Sequence, residues 1–151
     1  MTSDYLIYQI LLQSNDDFIK SCNVQFINQS TPLNDSNGIY VGFVDLENAE
    51  DLFDGEEYTA MIDIYIKTKD TDYLNGSRYL RSVVRCIKNE LKSNEDMKQR
   101  NIRFRNITYE YGGKYELKGL HLILQCNEIE TDDIIDYNCL HINTGAEYEE
   151  R

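Results

Sequence analysis

Histidines, cysteines and carboxylates are the residues here with which chemistry could be done. There are two histidines, four cysteines and twenty-seven acids among 151 residues. Cys126, Cys139 and His141 bring three metal-capable groups into one stretch. Structural zinc needs a fourth ligand at suitable spacing, and none stands near them. Four cysteines suffice on count for two disulfides, but no C-x-x-C pair occurs, and a chain kept in cytosol holds its thiols reduced. Cys86 and Cys126 lie inside apolar patterns, where a free thiol packs as a small core residue. Asp35, Asn37 and Gly38 suggest a calcium loop, yet that alignment puts Leu33 in the first ligand position and Val44 in the last. Glu47, Glu50, Asp51, Asp54, Glu56 and Glu57 crowd one segment. Paired carboxylates act as acid and base only inside a pocket that separates their pKa values, and so acidic a loop is expected to be solvated. His121 falls opposite Leu120 and Leu122, as a surface or interface histidine does. No Gly-rich phosphate loop or nucleophile elbow is present. The expectation is a protein that is not an enzyme and holds neither metal nor cofactor.

Charge placement is the more informative chemistry. Residues 78–105 hold nine of the fifteen basic residues, opposed only by Glu90, Glu95 and Asp96, a local surplus of +6. The remainder has six basic residues against twenty-four acids. Arg78, Arg81, Arg85, Lys88 and Lys92 recur at spacings of three and four. At about 100° per residue they fall within a helical stripe roughly 80° wide. Arg103 and Arg105 alternate out of the segment that follows. Such a stripe repels itself unless acid lies nearby. That acid comes from the chain's own acidic loop or from a neighbouring copy, and the second case gives a head-to-tail contact that closes a ring or grows a filament. A nucleic-acid-binding helix is the third possibility, and the net charge of −12 argues against it. Arg78, Arg81, Arg85, Lys88, Lys92, Arg103 and Arg105 are therefore the candidate subunit interface.

These residues need elements to hold them. Residues 4–20 read as a helix with Leu6, Ile10 and Leu11 or Leu12 along one side, Ser3 as a possible cap and a break near residues 14–17. A short strand is expected at 24–28, a loop from Ser30 to Gly38, and a second strand through Ile39, Val41 and Phe43. In Tyr58, Ala60, Ile62, Ile64 and Ile66 every second residue is apolar, the clearest strand of the chain. The segment from Asp45 to Glu57, with seven acids, reads as an exposed loop before it. Leu80, Val83, Val84, Ile87 and Leu91 mark an amphipathic helix over 77–92, capped by Asn75 or Ser77. Strands follow at about 101–111 and 114–127, turning at Gly112-Gly113. Ile102 and Phe104 share one phase, Ile107, Tyr109 and Tyr111 the other, so a bulge is expected near Asn106. This order predicts an α+β fold: an antiparallel or mixed sheet of about five strands packed with an N-terminal and a central helix. Residues 1–127 form a single domain, and 128–151 an acidic extension.

Composition sets the outer bounds. The length suits one domain with a real core. No basic start leads into an apolar run, and no apolar stretch of about 18 residues occurs, so neither signal peptide nor membrane span is expected. Synthesis and residence in cytosol follow. Twelve tyrosines and no tryptophan suit half-buried or shared surfaces, or simply fill strands.

The pieces Tyr5 to Leu12, Glu57 to Lys67 (EYTAMIDIYIK), Arg78 to Leu91 and Tyr109 to Leu124 together resemble the tail-terminator and related head-tail joining (neck) proteins of tailed bacteriophages. The likeness spans about residues 4–127. It implies a virion structural protein, assembled in host cytoplasm into a six-fold ring that caps the tail tube and joins it to the connector. DNA would pass through the lumen without specific binding, since an acidic wall does not grip phosphates. Tail tube and connector proteins would be its partners, with no membrane involved. Another neck or connector subunit, or a monomeric cytosolic adaptor binding a protein or ligand through its tyrosines, are the alternatives.

Overall fold

The computed structural model describes the backbone of residues 1–26, 37–52 and 55–131, and the side chains of 1–26, 37–42 and 59–128. Two helices open the chain, α1 (Ser3–Leu12) and α2 (Asp17–Lys20). Strands β1 (Asn23–Phe26), β2 (Gly38–Leu52) and β3 (Gly55–Lys67) follow, then α3 (Tyr73–Ser93), α4 (Glu95–Gln99), β4 (Arg103–Tyr111) and β5 (Leu117–Thr131). The five strands form one sheet in the order β1-β2-β3-β5-β4. Only β1 and β2 run parallel, so the sheet is mixed and the fold α+β.

Alternation in the central strands decides which face is covered. Ala60, Ile62, Ile64 and Ile66 of β3 and Leu120, Leu122, Leu124 and Cys126 of β5 are all fully buried and form one core with the helices. Helix α3 contributes Leu80, Val83, Val84, Ile87 and Leu91, the face its periodicity marks, while α1 contributes Leu6, Ile7 and Leu11. Leu12 is exposed, and Ser3 is the first helical residue; the N-cap is Thr2, which makes no side-chain cap bond. The break near residue 14 is real: Asp16 caps α2 by accepting from the backbone N–H of Phe18 and Ile19.

Several boundaries differ from the sequence reading. The acidic segment after Phe43 is strand, not loop: β2 continues to Leu52 and pairs with β3 as far as Leu52↔Gly55. Its register shifts between Phe43 and Asp45 and between Glu47 and Glu50, so it lacks the strict alternation by which strands are recognised. Helix α3 begins at Tyr73, with Asp72 as its cap in place of Asn75 or Ser77. Gly112-Gly113 does not make a two-residue hairpin; a 3₁₀ turn over Gly113–Tyr115 carries Lys114 and Tyr115 at positive φ. The expected bulge is present, with the register shifting between Phe104 and Asn106. Strand β5 runs through residue 127 to Thr131, and Glu128 is buried against α1. The rest of the 128–151 extension, including Cys139 and His141, and the loop from Ser30 to residue 36 lie outside the described residues.

Candidate assembly interface

Helix α3 lies across the sheet so that its basic stripe borders β4. Lys88 and Lys92 hold their Nζ atoms 5.3 and 5.6 Å from the centroid of the Phe104 ring on β4. Aromatic faces attract cations at such distances, which fixes the stripe against the sheet edge. Arg81 is near enough to Tyr109 to oppose the upward push that burial gives its phenol. Arg78, Arg81, Arg85 and Lys92 are exposed and Lys88 is half-buried. Lys88 and Arg105 line an open groove of about 240 Å³ with Phe104, Asn106 and Ile107.

The bulge divides the two strand arginines. Phe104 pairs with Leu124 on the helix-covered face and Arg103 with Gln125 on the other, while Arg105 is the extra residue between Phe104 and Asn106. Arg105 therefore joins the stripe at the groove, and Arg103 emerges on the helix-free face. Among the described residues the ion pairs are Lys98–Glu95, Arg100–Glu128, Lys118–Glu116 and His121–Asp63. None involves Arg78, Arg81, Arg85, Lys88, Lys92, Arg103 or Arg105. The acidic segment that the own-loop reading invokes, Asp45 to Glu57, has its side chains outside the described residues. The two basic residues of 78–105 outside the candidate set are used internally: Arg100 donates to Ser3 Oγ and the Met1 carbonyl at 2.7 and 2.8 Å, and Lys98 pairs with Glu95 at 3.5 Å.

Sequence reading missed the apolar part of this surface. Among the described residues β4 is the last strand of the sheet and has β5 as its sole strand neighbour, leaving its outer row of N–H and C=O groups without a strand partner there. Along it Ile107 and Tyr111 are 44% and 46% exposed, and Tyr73 and Leu74 at the start of α3 are 51% and 56% exposed. Tyr73, Tyr109 and Tyr111 pack as a ring cluster with centroids 6.1–6.5 Å apart. The phase slip at Asn106 does not report this exposure: the bulge returns Ile107 and Tyr109, opposite Leu122 and Leu120, to the face on which Phe104 pairs with Leu124, and the exposure follows from the outer position of β4 in the strand order.

The helix-free face carries a second cluster. His121 Nδ1 lies 2.8 Å from Asp63 Oδ2, its ring is 4.6 Å from that of Tyr65, and Tyr65 donates its hydroxyl to Glu110. Burial first, and then Glu110, push the Tyr65 phenol upward. These contacts tie β3, β5 and β4 together across that face. Cys22, Cys86 and Cys126 are free thiols, each pushed upward by burial. Cys22 lies 3.1 Å from the Tyr79 hydroxyl. No group of three or more His, Cys, Asp or Glu among the described residues has metal-binding geometry, and no helix among them is long and apolar enough to cross a membrane.

No protein-family model and no curated protein sequence matches this chain. Among solved structures it is similar to a chain described as "Virion of native gene transfer agent (GTA) particle", with a TM-score of 0.59 over 85% of this chain and 96% of that one. At 13% identity the likeness is one of fold, and it extends over almost the whole of that chain.

Proposed function

We propose that this chain is a virion structural protein, a tail terminator that forms a ring at the head-proximal end of a phage-like tail and joins it to the connector. The observation that carries the reading is the near-complete fold likeness to a chain of a virion particle. The basic stripe, which makes no ion pair among the described residues, supports it from an independent direction. Exposed cations held against an open sheet edge suit a heterologous contact, in which one surface of a copy meets a different surface of the next. In this reading the ring is six-fold and surrounds DNA without gripping it. It meets tail tube and connector proteins, and its part in the particle is structural rather than catalytic. Antibody-gold labelling of purified particles tests the assignment. Label at the head-tail junction is expected; label along the tail shaft, on the capsid, or absent from particles contradicts it.

A second reading, a monomeric adaptor, draws on the cluster of exposed Tyr73 and Tyr111 with half-buried Tyr109. A protein that stays monomeric at high concentration and is missing from particles favours it.

A further inference from the structure

The acid that would match the stripe has an identifiable source in the fold. Among the described residues β1 pairs with β2 as far as Val41, and β4 pairs with β5 as far as Gln125. Beyond those points β2, β3 and β5 continue together as a three-stranded arm, paired to Leu52↔Gly55 and Gly55↔Thr131. Residues 42–60 contain seven carboxylates and no lysine or arginine, and residues 126–131 add Glu128 and Glu130. Beyond Val41, β2 has no strand neighbour on its outer side among the described residues. Among the described residues, one side of this arm is thus a strand without an outer partner, in a segment of high negative charge. The other side of the sheet ends in β4, flanked by cations with no ion pair among the described residues and by exposed Ile107 and Tyr111.

Resting on the ring reading above, we propose that the β2–β3 arm of one copy seats on the α3 stripe and β4 edge of the next copy. The occupant is a second copy of this chain because both halves of the contact are present in each copy. They are opposite in charge, and β2 and β4 lie on opposite sides of the central pair β3 and β5, so one copy can offer its arm to a neighbour and its stripe to another. The stripe steers the acidic arm into register, and the open backbone edge and groove hold it. In this proposal the carboxylates of β2 and β3, read from sequence as solvated charge, would form a subunit contact.

Charge exchange in the full chain tests this. The stripe variant is Arg81→Glu, Arg85→Glu, Lys88→Glu; the arm variant is Glu47→Lys, Glu50→Lys, Asp51→Lys; a third chain carries all six. Each is assayed by incorporation into particles when it replaces the wild-type protein, with circular dichroism confirming the fold. Neutral versions (Gln and Asn on the arm, Gln on the stripe) serve if a reversal does not fold. Incorporation is expected to fall at least tenfold for each triple variant and to recover in the six-fold chain. If the stripe variant fails while the arm variant assembles normally, the arm is not the partner, though the stripe remains an interface. If both fail and the six-fold chain does not recover, the pairing of arm with stripe is overturned. Normal incorporation of both triple variants removes the stripe as an interface together with the arm.

Discussion

Glu128 is buried between α1 and the end of β5, where two demands on its carboxylate oppose each other. Burial favours the protonated form, while the Ser3 backbone N–H donates to it and Arg100 approaches to 3.7 Å. Burial is the larger effect, and the carboxyl is held above its ordinary value. The folded protein therefore binds this proton more tightly than the unfolded chain. Its contribution to stability is fully present below the unfolded carboxylate range and declines as pH rises through the folded value. Glu128→Gln keeps an oxygen acceptor for Ser3 and removes the charge. Its urea midpoint is expected at or above wild type at pH 7, with the advantage shrinking towards pH 4. Glu128→Ala leaves the Ser3 N–H without its acceptor and is expected to cost about 1–3 kcal/mol. A glutamine variant as unstable as the alanine one at pH 7 would show that the charge itself stabilises. None of this was legible in the sequence, where Glu128 marks the start of an acidic tail: a buried acid and a solvated one look alike until the chain folds.

Elements whose burial follows a period were legible, and those held by geometry were not. The isoleucines of β3, the leucines of β5 and the apolar face of α3 gave strands and helix at nearly their observed positions. The bulge in β4 was readable because it reverses apolar phase. Helix α4 is only five residues long with Met97 as its one buried residue, too short for a period to register. The arm strand was missed for the related reason that β2 changes register twice in its second half. Of the candidate interface, the stripe was legible from spacing alone, whereas the open edge beside it depends on strand order. At the start of α3, Gly76 shows geometry overriding propensity. Alanine inside a helix ordinarily gains up to about 1 kcal/mol over glycine. Here a Cβ would stand 2.5 Å from the Asp70 carbonyl oxygen and 2.8 Å from Leu117 Cδ2, where α3, its preceding connection and β5 meet. Gly76→Ala is therefore expected to lower the urea midpoint. A rise would mean that the connection before α3 gives way freely.

At the scale of the whole molecule, the uneven distribution of charge is the property to be explained. A net charge of −12 keeps copies apart in every orientation except those that bring the basic region against a neighbour's acid. Exposed ion pairs contribute only about 0.2–1 kcal/mol each, so no single arginine holds an assembly. Several pairs acting with an open strand edge and exposed apolar residues can, and α3 and β4 bring those three features to one border of the sheet. In the proposed contact this combination also sets the orientation, since opposite borders of each copy would be engaged and the subunits would follow one another head to tail. A density map of the assembled particle that resolves side chains tests this most directly. The account predicts Arg81, Arg85 and Lys88 of one subunit within ion-pair distance of carboxylates on the next. The same side chains facing open solvent, with subunits joined elsewhere, would contradict it.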